Sequence, residues 1–198
     1  MVKGFGRTWA AALLIASVTV PATAQSYSDS YTFLKGVKDR DGDKVSSLVS
    51  EPGTTVINAR DRDRGEGALH YLVRDRDLVW LNFLLGKGAR PDIQNNEGNT
   101  PLALAAQIGW EDGAVVLLAR RASVDLPNRQ GETPLILAVH HRDLAMVRLL
   151  LAKGANPRRT DSLSGLSALD YAKRDAPQLV KMLEAPVAAP RPVAGPKL

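Results

Sequence analysis

The sequence of 198 residues contains no cysteine. A disulfide framework, a thiolate metal site, a cysteine nucleophile and a lipid anchor on cysteine are therefore excluded. Aromatic residues are also scarce, at 5% of the chain, while alanine, leucine and valine recur throughout. Because the strands of a β-sandwich are rich in aromatic and β-branched residues, this composition favours closely packed helices. A chain with 44% hydrophobic and 24% charged residues is not disordered throughout.

The short motifs of common enzyme chemistry are missing as well. No Gly-x-Ser-x-Gly turn, phosphate-binding loop, His-Glu-x-x-His zinc motif or paired-carboxylate signature occurs. His140, His141 and Asp143 form the one group of residue types suited to metal binding or acid–base catalysis. Adjacent histidines on a helix point about 100° apart, so both cannot readily bind one metal ion. We therefore predict no enzyme activity, no metal site and no cofactor.

The charge pattern does not favour nucleic-acid binding. The chain has 26 basic and 21 acidic residues, a formal charge of +5. Arginines alternate with aspartates over residues 60–64 and 74–77, which cancels the field that attracts a phosphate backbone. The uncompensated basic pairs are Arg120 with Arg121 and Arg158 with Arg159. We predict no nucleic-acid partner.

The first 24 residues have the order of features found in an export signal. Lys3 and Arg7 precede an apolar run over residues 9–20, and Ala22-Thr23-Ala24 supplies the small residues that a signal peptidase accepts. The run is too short to span ~30 Å of hydrocarbon as a helix. We predict cleavage after Ala24, no stable membrane insertion afterwards, and a periplasmic mature protein, with secretion as the alternative. A helix packed on the domain and an uncleaved anchor are the other interpretations of this segment.

The rest of the chain is built on a repeat of 33 residues. Residues 98–105, Gly-Asn-Thr-Pro-Leu-Ala-Leu-Ala, match residues 131–138, Gly-Glu-Thr-Pro-Leu-Ile-Leu-Ala. Weaker copies stand at residues 65–72 and 165–172. A period that is kept over whole units indicates stacked supersecondary units.

Each unit has the signals of two short helices. Thr100 and Thr133 can cap a helix, while the prolines that follow them suit its first position. Gly109 separates the first helix from a second one, and Gly88 and Gly154 suit the left-handed end of second helices. Polar stretches between the units suit projecting turns. The sequence predicts helix, turn, helix and β-turn finger in each unit.

The turns between paired helices differ in their glycine content. The register places glycine there at Gly42 and Gly109, but Arg76 and Arg142 at the equivalent positions. Left-handed backbone is free for glycine and strained for a residue with a Cβ. We therefore predict strained turns at Arg76 and Arg142.

The repeat resembles the ankyrin repeat. The family motif Thr-Pro-Leu-His-x-Ala is present, without its histidine, at residues 100–105 and 133–138, and its histidine is kept at His70. The resemblance covers residues 30–184 and implies an all-α repeat: an ankyrin-repeat solenoid of about five helix–turn–helix units with β-turn fingers, capped by the first and last units. We interpret residues 25–29 as a short lead and the Pro/Ala-rich residues 185–198 as a disordered tail.

The resemblance also implies a function. Ankyrin-like stacks bind partners in a concave groove lined by the fingers and first helices, so we expect a non-enzymatic, monomeric adaptor or scaffold for a protein partner. Alternatives are an accessory factor that protects or assists an exported enzyme, with the two histidines at 140 and 141 as a weak metal or pH-sensitive contact, and a secreted effector that binds a host protein.

His70 is expected to form hydrogen bonds within its turn, and Trp80 and Trp110 to pack. The groove positions carried over are Arg64, Glu66, Arg74, Asp75, Asn96, Glu97, Asn99, Gln107, Ile108, Arg129, Gln130, Glu132, His140, His141, Leu166, Lys173 and Arg174.

Overall fold

The computed structural model describes residues 22–185, with side chains from Asp29 onward. Most of the predicted export signal and nearly all of the predicted tail therefore lie outside the described residues. A short 3₁₀ helix spans Val56–Asn58. The described residues contain ten α-helices: α1 (Ala22–Asp39), α2 (Gly42–Ser50), α3 (Ala68–Arg74), α4 (Leu78–Gly86), α5 (Pro101–Gln107), α6 (Glu111–Ala119), α7 (Pro134–His140), α8 (Leu144–Ala152), α9 (Ala168–Asp175) and α10 (Pro177–Glu184).

The helices form consecutive pairs that stack in two layers. Helices α3, α5, α7 and α9 contact one another in sequence in one layer, and α4, α6, α8 and α10 do so in the other. Residues 22–185 contain no β-strand. Their β-structure consists of two isolated bridges, one between Arg60 and Gly67 and one between Thr160 and Ser167. The predicted all-α repeat solenoid is confirmed.

Helices α5 and α7 begin where the sequence predicts. Thr100 Oγ1 accepts a hydrogen bond from the Ala103 amide at 3.1 Å, and Thr133 Oγ1 accepts one from the Ile136 amide at 3.3 Å. The prolines that follow both threonines occupy the first helical turn, where the missing N–H costs nothing. Pro177 has the same role at the start of α10.

The core lies between the two layers and runs the length of the stack. Leu72, Leu102, Leu135 and Leu150 are fully buried in it. Trp110 is buried as predicted, and its indole fills the space over Gly113, where an added Cβ would lie 2.1 Å from the ring. Small residues on the first helices let neighbouring units approach closely, as the composition suggested.

Within the described residues, the first unit has two helices and no finger before them. Helix α1 begins at Ala22 and runs without interruption to Asp39, so the residues expected as a lead, 25–29, are helical. Phe33, Val37 and Val45 bury the apolar faces of α1 and α2. Within the described residues, no helix is both long enough and apolar enough to cross a bilayer.

The prediction of left-handed arginines in the inter-helix turns is confirmed for two units and corrected for one. Arg76 and Arg142 have φ values of 55° and 54°, and Gly109 has 63°. In the first unit the left-handed residue is Arg40, at 59°, whereas Gly42 is the first residue of α2. The reason is that the left-handed residue directly precedes the N-cap of the second helix, which in the first unit is aspartate 41.

Replacing Arg142 by glycine is expected to raise the free energy of unfolding by about 0.5 kcal/mol. Glycine relieves the left-handed strain, and the greater freedom of the unfolded chain offsets part of the gain. Arg40→Gly is the matched comparison, because it also removes ion pairs to Asp75 and Asp77 with N···O distances of 2.9 and 2.7 Å. Urea denaturation should show Arg142→Gly stabilised and Arg40→Gly destabilised; a loss of stability in both would mean that strain relief does not dominate at residue 142.

Candidate functional site

The fingers lie side by side, joined by one backbone hydrogen bond at each junction. Because the same kind of hydrogen bond recurs at each junction, successive finger tips lie in a row along one edge of the stack. The amide-to-carbonyl bonds run from Asn96 to Arg64, from Arg129 to Glu97 and from Ser162 to Gln130, with N···O distances of 2.8, 3.0 and 2.8 Å.

Asparagines shape the two central fingers. Asn95 Oδ1 accepts hydrogen bonds from two amides of its own finger at 3.0 and 2.9 Å, and Asn128 Oδ1 accepts two in the same way. Asn128 Nδ2 also donates to Asn99 Oδ1 of the preceding finger at 3.1 Å. These hydrogen bonds restrain the conformation of both fingers in the absence of a partner.

The outer two fingers use an aspartate and a tyrosine instead. The Tyr71 hydroxyl donates to the Asp61 carboxylate, and Tyr171 donates to Asp161. Burial alone would raise the pKa of Asp61, but the hydrogen bonds from Tyr71 and from the Arg64 amide outweigh it and lower the pKa. Sequence reasoning missed both pairs, although each aspartate precedes its tyrosine by ten residues.

His70 forms a hydrogen bond within its turn, as predicted. It also joins its own unit to the finger of the third unit. Gly67 stands at the N-cap of α3, and its amide donates to His70 Nδ1 at 3.2 Å. The opposite nitrogen, Nε2, donates to the Asn99 carbonyl at 2.9 Å. Burial lowers the pKa of His70, and the ring is fully enclosed. His70 is thus a neutral structural residue.

The concave face contains two adjoining depressions, with volumes of about 280 and 210 Å³. We call their combined lining the central groove. It brings together ten of the seventeen positions predicted from the sequence: Arg64, Glu66, Arg74, Asn96, Glu97, Asn99, Gln107, Arg129, Gln130 and Glu132.

Two of these predicted positions are buried in the floor of the central groove. Glu66 is only 2% exposed, and its carboxylate accepts two hydrogen bonds from the Arg74 guanidinium, at 3.0 and 2.5 Å. The hydrogen bond to Glu66 raises the pKa of Arg74. Asn99 is 7% exposed and donates to Glu97 Oε2 at 3.0 Å. Glu66 and Asn99 therefore fix the shape of the groove.

Other groups in the central groove keep their hydrogen-bonding capacity. The guanidiniums of Arg64 and Arg129 form no ion pair with any described residue, and both side chains are exposed. Gln107 and Gln130 are exposed as well. The groove thus offers these two cations and two amides to a bound chain, together with the exposed carboxylates of Asp63 and Glu97, which have no ion pair with a described residue.

The remaining predicted positions lie outside the two depressions. Asp75 is paired with Arg40, and Lys173 with Glu184 at 3.4 Å. Arg174 pairs with its neighbour Asp175 and lies 5.0 Å from the ring centroid of Tyr171. Ile108 and Leu166 are half-buried, and His141 is exposed.

The histidine cluster does not assemble as a site. His140 packs against Tyr171 with ring centroids 4.3 Å apart, and its Nε2 lies 3.6 Å from Glu132 Oε1. Asp143 is used as the N-cap of α8, where it accepts from the Met146 amide at 3.0 Å. In the part of the chain that the structure describes, no group of three or more His, Asp or Glu residues is placed to hold a metal ion.

A third depression continues the concave face toward the N-terminus. Its volume is about 590 Å³, and it lies between α1 and the second unit's finger. The sequence predicted none of its lining residues as groove positions, because the resemblance supplies such positions only where a unit has its own finger.

Comparison with known proteins identifies the repeat. A sequence profile for ankyrin repeats in three copies matches residues 69–161 and 111–185. An ankyrin repeat protein of Rickettsia felis is 51% identical over 49 residues, which are 23% of this chain and 22% of that protein. An ankyrin repeat-containing protein of Treponema pallidum is 38% identical over 111 residues, or 56% of this chain and 37% of that protein.

One eukaryotic protein also matches half of the chain. Oxysterol-binding protein homolog 1 of Saccharomyces cerevisiae is 29% identical over 101 residues, or 50% of this chain and 8% of that protein. The chain spans well under half the length of all three relatives.

Proposed function

Since this chain belongs to the ankyrin-repeat family, we propose that it is a non-enzymatic adaptor that binds a protein partner, as a monomer, through the central groove. Ankyrin repeats are typical of protein–protein interaction modules. The observation that carries the proposal is a contiguous groove with hydrogen-bonded fingers, whose exposed side chains include two cations, two amides and the carboxylates of Asp63 and Glu97. Preorganised fingers lower the entropy that binding would otherwise cost.

Photo-crosslinking from the groove tests the proposal and identifies the partner. A photoreactive residue in place of Gln107 samples the groove, and one in place of Ala145, exposed on α8, samples the opposite layer. We expect a discrete protein adduct from residue 107 and none from residue 145. Equal labelling from both positions would contradict binding through the groove.

Charge reversal in the groove is expected to weaken binding of that identified partner. Arg64→Glu with Arg129→Glu should reduce the association rate constant about tenfold or more at low salt, and less at high salt, because steering by exposed charges is screened. Surface plasmon resonance at several salt concentrations measures both effects. Arg74 is unsuitable, since a glutamate there would meet the buried Glu66 carboxylate.

The control reverses Arg120 and Arg121 instead. Both are exposed at the end of α6 in the opposite layer, and the double reversal changes the net charge by the same amount. Should this control pair lose binding while the groove pair retains it, the partner binds elsewhere.

We further propose that the protein acts in the periplasm after cleavage of its first 24 residues. The order of charge, apolar run and Ala-Thr-Ala supports export. The intact mass of the protein from the periplasmic fraction is expected to correspond to a chain that begins at Gln25. A full-length chain in the soluble fraction would contradict cleavage.

A further inference from the structure

The depression at the N-terminal end of the concave face has the size of a ligand site. Its volume of about 590 Å³ falls within the range of about 300–1,000 Å³ typical of such sites. Helix α1 forms one wall, with Tyr31, Leu34 and Lys38. The finger of the second unit forms the other wall, together with Tyr71 on α3. The described part of the first unit has no finger, and within the described residues the space between these walls is open.

Apolar surface predominates in this depression, although eight of its eleven lining residues are polar or charged. Leu34 and Tyr71 are buried beneath it, while Tyr31 is 63% exposed. A tyrosine that is left this exposed beside two buried apolar side chains offers a ready surface for another apolar group. The depression is therefore suited to a bulky apolar side chain.

The charges around it are unevenly paired. The Lys38 ammonium lies 4.1 Å from the Tyr71 ring centroid, and the Arg60 guanidinium donates to the Gln94 carbonyl at 3.0 Å; neither pairs with a described carboxylate. Asp61 is held by the Tyr71 hydroxyl. A partner carboxylate can thus pair with Lys38 and Arg60.

The other two acids are placed differently. Asp39 is paired with Lys35 at 2.5 Å. Asp63 has no ion pair with a described residue and also lines the adjoining 280 Å³ depression. Asp63 therefore lines both the N-terminal depression and the central groove.

The N-terminal depression and the central groove form one continuous surface. They share Asp63, and the two depressions of the groove share Glu97, Asn99 and Gln107. A ligand that follows this surface across the fingers must be elongated. An extended peptide meets that condition, because it advances about 3.3 Å per residue with side chains alternating in direction.

We propose that the N-terminal depression binds a bulky apolar side chain of an extended partner segment, and that an adjacent carboxylate of that segment pairs with Lys38 and Arg60. This inference rests on the proposed function and names the chemistry of the partner. The free cations Arg64 and Arg129 hold the rest of the segment in the central groove.

Selection from a phage-displayed library of random dodecapeptides on the full mature chain tests the proposal. We expect the enriched peptides to share an aromatic residue, leucine or methionine next to aspartate or glutamate. Synthetic copies with free and with amidated C-termini show whether the carboxylate is a side chain or a chain end. Enrichment of peptides without the apolar–acidic pair, or no enrichment at all, overturns the proposal.

Single variants then locate the binding site by fluorescence anisotropy of the labelled peptides. Tyr31→Ala and Lys38→Glu should each weaken the affinity about tenfold or more, and Tyr31→Phe should retain it. Lys44→Glu, an exposed reversal on α2, should change the affinity less than about twofold, as expected of a rim charge away from the contact. Thermal melts of each variant confirm that the fold is intact.

The two proposals fail in different ways. Binding that is lost in Arg64→Glu or Arg129→Glu but unchanged in Tyr31→Ala and Lys38→Glu overturns the N-terminal site and supports the groove. Binding that is lost only in Tyr31→Ala and Lys38→Glu supports the N-terminal site and contradicts the groove. Binding that none of these variants changes overturns both.

Discussion

Replacing Leu135 by alanine is expected to lower the free energy of unfolding by about 2–5 kcal/mol, because a fully buried leucine leaves a cavity that close-packed neighbours do not fill. Leu135 lies on α7, which contacts α5 on one side and α9 on the other. Truncation therefore weakens two interfaces between units. In a stacked repeat, stability is the sum of such neighbour contacts and of each unit's own stability. Urea denaturation followed by circular dichroism measures the loss.

Leu163→Ala is the matched control for this substitution. The same atoms are removed, but Leu163 lies in the last finger and is 76% exposed. Its change should stay within about 0.5 kcal/mol. A loss below 1 kcal/mol for Leu135→Ala, or equal losses in both variants, would mean that α7 does not pack in the register described.

Gly131→Ala is expected to lower the free energy of unfolding by about 2–4 kcal/mol. Gly131 has a φ of +80°, and an added Cβ would lie 2.4 Å from the Ser162 backbone nitrogen of the next finger. The left-handed backbone costs about 1–2 kcal/mol, and the steric clash adds a cost of similar size. The same Ser162 amide donates to the Gln130 carbonyl, so the clash opens the junction between two fingers.

Gly154→Ala separates the two causes. Gly154 has a φ of +90°, but no atom lies within 4 Å of the position that a Cβ would take. This variant should therefore lose only the conformational part, about 1–2 kcal/mol. Thermal and urea denaturation of both variants give the difference, and equal losses would falsify the close approach of the two fingers.

The consequence for binding is also measurable. Since the clash in Gly131→Ala displaces one finger from its neighbour, the affinity for a groove-binding partner should fall even at temperatures where the variant is folded. Gly154 follows the C-cap of α8 and does not line the groove, so Gly154→Ala should bind with unchanged affinity.

The sequence by itself determined the architecture. Thr-Pro at residues 100–101 and 133–134 starts a helix through contacts within one turn, and the 33-residue period states that the same unit is repeated. The capping signals act over three or four neighbouring residues, so the sequence alone is enough to recognise them. Left-handed backbone at Arg76 and Arg142 followed from the same register, whereas Arg40 was found only in the structure, which shows that Asp41 is the N-cap of α2.

The tertiary structure decided which groove residues are free and where the groove ends. Glu66 and Asn99 have the finger positions of contact residues, yet both are buried, because Arg74 and the neighbouring fingers cover them. The N-terminal depression lies where the described part of the first unit has no finger, between α1 and residues of the second unit. Repeat register predicts what each unit has in common with the others, whereas pairing and exposure depend on the particular side chains that neighbouring units bring together in space.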